Sequence, residues 1–196
     1  MHPFWTPDLA EERRARLRKE ADDARLAAIA ANLRRAERSR LRVRVLDPAD
    51  IDSIAGLFER LSWRSRYFRF MSPRPVPPRM VRYFANIDHQ RHEAVGAFDG
   101  ERLVGSAHYF QSEDATQAEI AAEIIDGYQR KGIGSWLLRD LADLARRRGI
   151  THFRATVLAE NTSALALLRD MGWPAMTSRD GPELAVTTTI ADIGSH

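Results

Sequence analysis

The residues best suited to chemistry lie in a short glycine-containing stretch near the middle of the sequence. Residues 128–135 read Tyr-Gln-Arg-Lys-Gly-Ile-Gly-Ser and stand between an apolar run and a helical pattern. Glycines let a ligand approach the backbone closely, and free amides at a helix N-terminus bind phosphate oxygens. The stretch lacks the third glycine of a dinucleotide-binding fingerprint and the Gly-Lys-Ser/Thr ending of a phosphate-binding loop. A ligand with a diphosphate is therefore expected, and a plain helix cap is the alternative.

A second segment downstream has the order strand, polar residue, helix. It begins at residues 157–161 (Val-Leu-Ala-Glu-Asn), continues with apolar residues at helical spacing and closes on Gly172-Trp173. Taken together, the two segments resemble the GNAT superfamily of N-acetyltransferases. The family signature Gln/Arg-x-x-Gly-x-Gly/Ala is matched by Gln129, Gly132 and Gly134. The resemblance extends from about residue 41 to residue 173.

This resemblance implies acetyl-CoA as the acetyl donor, with its diphosphate on the loop amides and no metal. In that family the strand before the loop diverges from its neighbour, which would place two isoleucines against the pantetheine arm. Asn161 is expected to hydrogen-bond the pantetheine, and it is also suited to cap the following helix. The expected cofactor-binding residues are Ile124, Ile125, Gln129, Arg130, Lys131, Gly132, Ile133, Gly134, Ser135 and Asn161.

The reaction that the resemblance implies is direct attack of an amine on the acetyl thioester. A lysine amine, with a pKa of about 10.4, is protonated at neutral pH, so the reaction needs a base. Glu119 resembles the strand glutamate that serves as base in protein-lysine acetyltransferases. Glu123, on the same strand face, is the second candidate and His108 the third; either glutamate could instead be a solvated strand residue. Many family members protonate the leaving thiolate with a tyrosine, but no tyrosine follows Tyr128.

An aromatic and basic stretch gives a closer resemblance. Residues 61–70, with Ile87-Asp88-His89 and the strand of Glu119, resemble bacterial protein-lysine acetyltransferases that act on acyl-CoA synthetases. A protein lysine is therefore the expected acceptor. A small-molecule amine acceptor and a non-catalytic acyl-CoA sensor remain the alternatives.

The elements around these residues follow from hydrophobic periodicity and turn signals. Strands are predicted at 41–46, 93–98, 103–110, 118–125, 152–158 and 183–189, and helices at 7–38, 49–61, 78–87, 133–148 and 162–171. Asp99-Gly100 predicts a hairpin. With the resemblance, the expected fold is α/β (α+β): the GNAT fold, a central mixed and mostly antiparallel sheet flanked by helices, with an extra N-terminal helix. The expected domains are a helical extension, 1–40, and an acetyltransferase domain, 41–196.

Composition limits the remaining classes. The 196 residues are 44% hydrophobic and contain no cysteine, which indicates one folded catalytic or binding module without thiolate chemistry or disulfides. No apolar run approaches the roughly 20 residues of a membrane helix, so a cytoplasmic protein without membrane contact is expected. Residues 1–44 carry 12 Lys+Arg against 7 Asp+Glu, interleaved as on a solvated helix, so nucleic-acid binding is not expected. A homo-oligomer is left open.

Overall fold

The computed structural model describes residues 40–190 and seven positions of the N-terminal segment. The chain divides into two units, Met1–Arg40 and Leu41–His196. In the first unit the seven described positions are helical, and Arg16 Nε donates to Glu20 Oε1 at 3.0 Å one turn along. The rest of the predicted helix 7–38 lies outside the described residues. The functional separation of 1–40 from 41–196 stays a prediction.

The second unit is built on one sheet of seven strands. The strands are β1 Leu41–Val45, β2 His92–Asp99, β3 Arg102–Gln111, β4 Gln117–Ile124, β5 His152–Leu158, β6 Ala175–Asp180 and β7 Glu183–Thr189. Their order in the sheet is β1-β2-β3-β4-β5-β7-β6, and all neighbours are antiparallel except β4 and β5. The predicted mixed, mostly antiparallel sheet is confirmed.

Five α-helices flank the sheet in the part of the chain that the structure describes. They are α1 Ile51–Glu59, α2 Trp63–Phe70, α3 Pro78–Ala85, α4 Ile133–Arg147 and α5 Thr162–Asp170. Their starts follow ordinary capping chemistry: the Ser62 side chain accepts from Ser65 N to begin α2, and Pro78 occupies the first turn of α3.

The helices cover the two sheet faces separately. On one face Phe84 of α3 packs edge-on against His108 of β3, and Phe58 of α1 packs against Phe84. On the other face, a Cβ at Gly105 of β3 would lie 3.5 Å from Leu137 of α4. The two faces therefore have different neighbours, and the face that carries α1 to α3 is the one that concerns the candidate base below.

The sequence patterns predicted one hairpin correctly and missed two elements, β6 and α2. Asp99 pairs with Arg102, and Gly100 has φ +61°, so the predicted hairpin is present. The edge strand β6 was not predicted, because all six of its side chains are exposed and it lacks an apolar alternation. The aromatic-basic stretch, which the sequence left without an element, forms α2.

Candidate active site

β4 and β5 separate along their length and leave a gap between them. Parallel pairing joins only Gln117–Glu119 to His152–Arg154, although β4 continues to Ile124 and β5 to Leu158. The divergence that the resemblance implied for the strand before the loop is therefore present. The gap begins directly after Glu119.

Backbone amides of β4 face this gap at alternate residues. Successive residues in a strand direct their N–H and C=O groups to opposite neighbours. Ile125 N donates to Val104 O at 3.1 Å on the β3 side, so the even-numbered residues of β4 direct their amides toward β5. The pairing of Glu119 with Arg154 uses the amide of Ile120, and the amides of Ala122 and Ile124 face the gap. The amide of Ile125 is engaged with β3, and contact of Ile124 and Ile125 with the cofactor stays a prediction.

The glycine loop ends at the start of α4. Gly132 precedes the helix with φ +78°, and Arg130 also has a positive φ of 59°. Within the described part of the chain, the backbone amides of residues 132–135 donate no hydrogen bond. These amides have the arrangement that binds phosphate at a helix N-terminus.

Gly134 lies where three elements meet. A Cβ on Gly134 would stand 2.9 Å from Leu167 Cδ2 of α5 and 3.3 Å from Ile124 Cδ1 of β4. A larger residue would require the Leu167 side chain to shift, because 2.9 Å is shorter than real Cβ contacts. The structure thus brings the end of β4, the start of α4 and the helix after Asn161 together.

Gln129 braces the loop through its side chain. Gln129 Nε2 donates to Ile124 O at 2.9 Å and to Ser65 Oγ of α2 at 3.1 Å. The loop is tied both to the last residue of β4 and to the helix above it. In this geometry the side chain of Gln129 holds the loop, and contact with a cofactor stays a prediction for Gln129 and for its neighbours up to Ser135.

Asp126 anchors the start of α2 in the same way, and no sequence signal identified it. Its carboxylate accepts from Ser62 N at 3.1 Å, from Ser62 Oγ at 2.8 Å and from Ser65 Oγ at 3.1 Å. Burial acts to raise the pKa of Asp126, but the hydrogen bonds from the two serines outweigh it and lower that pKa overall. A helix cap rich in serine opposite an Asp-Gly turn was the only hint in the sequence.

The second motif begins α5. Asn161 Oδ1 accepts from Ala164 N at 3.1 Å, so the capping role that the sequence offered as an alternative is present. Contact of Asn161 with pantetheine stays a prediction. Beside it, Tyr67 Oη of α2 donates to Glu160 Oε1 at 2.9 Å, and this hydrogen bond raises the pKa of Tyr67. Because Ser65 contacts the loop after β4 and Tyr67 contacts the turn after β5, α2 bridges the two sides of the gap.

Glu119 stands at the point where the gap opens. It is exposed and lies opposite Phe110 of β3 and Arg154 of β5, and its side chain makes no hydrogen bond or ion pair in the part of the chain described here. Five residues at about 3.3 Å each separate it by about 17 Å from Ile124. An extended pantetheine arm whose diphosphate sits on the glycine loop spans a distance of this order.

Glu123 lies on the same face as Glu119 but in a different environment. Its side chain is 1% exposed, its Oε2 accepts from Arg69 Nε of α2 at 2.6 Å, and its Oε1 accepts from Ser106 Oγ. His108, which is fully buried, lies 3.2 Å from Ser106 Oγ and 3.6 Å from Glu123 Oε1. The carboxylate is committed to these partners, so the solvated-residue alternative does not describe Glu123.

The buried chain continues from His108 to His92 and has one proton fewer than its contacts require. His92 Nε2 lies 3.1 Å from His108 Nδ1, and His92 Nδ1 lies 2.9 Å from Asn86 O. Four contacts from Asn86 to Glu123 need four protons, whereas two neutral imidazoles, Ser106 and an ionised Glu123 supply three. Burial lowers the pKa of His92, and it lowers that of His108 well below its usual value. His108 is a poor candidate for the base, because its side chain is fully buried and burial weakens its basicity.

Neither a metal-binding cluster nor a membrane-spanning helix is found among the described residues. Among them, no group of three or more His, Asp or Glu side chains is placed to hold a metal ion. Over the same ranges, 40–190 and the seven helical positions before them, no helix combines the length and apolarity of a membrane span.

The sequence of this region matches a known protein family. Residues 58–173, which hold the gap, the glycine loop and the Asn161 segment, match the model described as the acetyltransferase (GNAT) family. The chain belongs to the GNAT acetyltransferase family. As a member it is an acetyl-CoA-dependent N-acetyltransferase, and the free amides along the gap and at the start of α4 fit that donor.

Individual relatives agree with the family model. Acetyltransferase PA5475 of Pseudomonas aeruginosa is 32% identical over 136 residues, which is 67% of this chain and 73% of that protein. Acetyltransferase Pat of Mycolicibacterium smegmatis is 28% identical over 149 residues, which is 74% of this chain but only 44% of that longer protein. The crystal structure of the GNAT domain of S. lividans PAT superposes with a TM-score of 0.71 at 26% identity, covering 76% of this chain and 90% of that one.

Proposed function

We propose that this acetyltransferase transfers an acetyl group from acetyl-CoA to a lysine side chain of another protein, with Glu119 as the general base. One observation carries the proposal: an exposed carboxylate stands at the point where β4 and β5 part, at one end of a gap lined by free amides. A phosphate-binding helix start closes the other end of the gap. When bound, acetyl-CoA supplies the activated acyl group.

The backbone positions the donor. The loop amides from Gly132 to Ser135 hold the diphosphate, and the amides of Ala122 and Ile124 hold the pantetheine arm. Gln129 and Asn161 keep the loop and α5 in place on either side. These assignments place the reacting carbonyl near Glu119.

Glu119 accepts the proton that the lysine ammonium must lose before its nitrogen can attack the thioester carbonyl. Its carboxylate is exposed and has no competing partner among the described residues, unlike that of Glu123. A positioned base contributes about 10² to 10⁴ in rate. The departing thiolate, whose conjugate thiol has a pKa of about 8.5, takes its proton from water, since the tyrosine of other members is missing.

The acceptor is a protein lysine rather than a free amine. The support comes from two relatives named Pat, one matched in sequence and one in structure, and from the open, exposed setting of Glu119. A small amine needs an enclosing pocket to be oriented, whereas a lysine presented on a partner needs only an accessible base. The cytoplasmic location stays a prediction, and a homo-oligomer remains open.

Mass spectrometry of a bacterial lysate incubated with the enzyme and isotopically labelled acetyl-CoA tests the acceptor. We expect labelled Nε-acetyl-lysine on a small number of proteins, and little of it with the Glu119→Gln variant. Label found solely in small amines would contradict the protein acceptor. A lysate without any labelled product, together with undiminished binding of acetyl-CoA, would favour the sensor alternative.

A further inference from the structure

The helices on the candidate-base face of the sheet carry an unusual set of exposed side chains. From residue 62 to residue 86 the sequence contains six arginines and no aspartate or glutamate. Four of these arginines are exposed: Arg64, Arg74, Arg79 and Arg82. Trp63, Met71 and Tyr83 are exposed as well, with 65%, 39% and 55% of their surfaces accessible.

This composition is typical of protein interfaces. Interfaces are enriched in aromatic residues, Met and Arg, and depleted in Lys, Glu and Asp. Three of the six large hydrophobic residues recorded as exposed in the described part of the chain fall within these 25 residues. We call the set Trp63, Arg64, Met71, Arg74, Arg79 and Tyr83 the α2–α3 surface.

The α2–α3 surface is continuous with the candidate base. Phe110 lies opposite Glu119 in the sheet, and the Tyr83 ring stacks on Phe110 with centroids 5.1 Å apart and planes 16° apart. Arg79 stands one helical turn before Tyr83, on the same side of α3. Tyr83 and Phe110 thus form an apolar path from Arg79 to Glu119, suited to the methylene groups of a lysine.

Arginine also stands on the other side of the base. Arg154 of β5 lies opposite Glu119, with strands about 5 Å apart, and is exposed. The acidic residues nearby are already engaged or lie past the strand ends. Glu160 accepts from Tyr67, and Asp114, in the turn between β3 and β4, accepts from Thr116 and Gln117. Positive charge therefore brackets Glu119 along the route from α3 to β5.

An apolar groove borders the same surface. It has a volume of about 430 Å³ and lies between α1 and α3, with Phe58, Val76 and Val81 among its walls. Its charged lining residues are Glu59, Arg66 and Arg82. Such a groove accommodates an apolar side chain of a docked protein next to the arginines.

We propose that the α2–α3 surface is the docking site of the acceptor protein, and that the acceptor lysine lies in an acidic region of that protein. The inference rests on the proposed function and adds the chemistry of the partner to it. Aspartate and glutamate on either side of the lysine pair with Arg79 and Arg154, while Tyr83 contacts the lysine stem. Charge complementarity of this kind raises the association rate and selects partners.

Binding of fluorescent peptides to the full chain saturated with CoA tests the docking site. Three peptides share one central lysine and differ in their flanks, which are acidic, neutral or basic. We expect the acidic peptide to bind about 10-fold more tightly than the basic one at low ionic strength. The preference should shrink near 1 M salt, where the Debye length is about 3 Å. Equal affinities, or tighter binding of the basic peptide, would overturn the proposal.

Charge-reversal variants test which arginines bind the acidic peptide. Arg74→Glu with Arg79→Glu should weaken binding of the acidic peptide about fivefold or more at low salt. The control matched in net charge is Arg139→Glu with Arg147→Glu, two exposed arginines of α4 on the opposite sheet face, which should leave binding of the acidic peptide unchanged. Equal losses in both variants would show that only net charge matters and would contradict a site on α2 and α3.

Acetylation of the neutral peptide distinguishes a failure of the docking proposal from a failure of the proposed acetyltransferase function. If the neutral peptide is acetylated and the acidic one shows no advantage in binding, the docking proposal fails and the function stands. If no peptide is acetylated but the acidic one binds through Arg74 and Arg79, the function fails and the docking surface stands.

Discussion

Glu119 and Glu123 show how two identical side chains on one strand face acquire different properties. Glu119 is exposed at the start of the gap, whereas Glu123 is enclosed by Arg69, Ser106 and His108. Their period of two predicts a shared face but says nothing about which helix covers which end of the strand. The position of α2 over Glu123 decides which of the two side chains is buried. That position depends on contacts between residues more than 50 apart in the chain.

The buried histidines give the fold a pH dependence. Burial lowers the pKa of His108 well below its usual value, so the folded protein keeps this side chain neutral while the unfolded chain takes up a proton below about pH 6.5. The free energy of unfolding is then highest above this pH and falls as the solution becomes more acidic. The loss reaches at most about 1.4 kcal/mol per pH unit for each such histidine.

We expect His108→Gln to flatten this dependence. Urea unfolding of both proteins at a series of pH values below about 6.5 measures it. The wild-type curve should be steeper, with the remaining slope of the variant reflecting His92, whose pKa is also lowered by burial. Identical slopes for the two proteins would show that His108 does not titrate on unfolding as described.

Residue roles were predictable where a local motif carries them. Gly132 and Gly134 follow from the spacing of the signature, and the capping of α5 by Asn161 follows from its place before a helical pattern. Asp126, Arg69 and the bond between Tyr67 and Glu160 could not be predicted, because each joins segments far apart in the chain. The engagement of the Ile125 amide depends on strand register, which the sequence left undetermined.

At the scale of elements, we propose that the loop and the start of α4 act as one anion-binding unit. Its prediction is that acetyl-CoA stabilises the fold, by about 2.7 kcal/mol at 100 times the dissociation constant. Gly134→Glu should remove this stabilisation, since it adds bulk against Leu167 and a negative charge beside the diphosphate. Thermal melting with and without acetyl-CoA measures both effects.

The control for this variant is Gly127→Glu. A Cβ at Gly127, on the exposed turn before the loop, would contact nothing within 4 Å, so the same charge is added without bulk in the site. The melting temperature of Gly134→Glu without ligand shows whether it still folds. A folded Gly134→Glu protein that keeps the full shift would mean that the diphosphate binds elsewhere.

Elements with strong periodicity were predicted within a few residues of their observed ends. β5 and β7 have the predicted ranges, and α4 begins at the predicted residue, since Gly132 and the apolar spacing mark its start. β6 was missed because an exposed edge strand shows no alternation, and α2 was missed because arginines and aromatics alternate without a clear helical stripe. Parallel pairing of β4 with β5 is a property of topology that no local pattern contains.

At the scale of the whole molecule, the chain divides between Arg40 and Leu41. The gap, the loop, Glu119 and the α2–α3 surface all belong to the second unit. We therefore expect a protein lacking residues 1–38 to fold, to bind acetyl-CoA and to acetylate a generic lysine peptide at the rate of the full chain. Steady-state kinetics of the two proteins check this expectation. Their masses in solution show whether the first unit contributes to self-association.

A truncated protein that binds acetyl-CoA and fails to acetylate the peptide would place part of the acceptor site in the first 38 residues. That outcome would move the predicted domain boundary. Loss of folding on truncation would contradict the division into two units.

Replacing each glutamate by glutamine tests the assignment of Glu119 as the base most directly. Glu119→Gln keeps the shape of the side chain and removes its basicity. We predict that its rate of acetyl transfer to a lysine peptide near pH 7 falls by about 10² or more while its affinity for acetyl-CoA is unchanged. Full activity in Glu119→Gln, alongside a folded but inactive Glu123→Gln, would contradict the assignment and make the buried carboxylate the base.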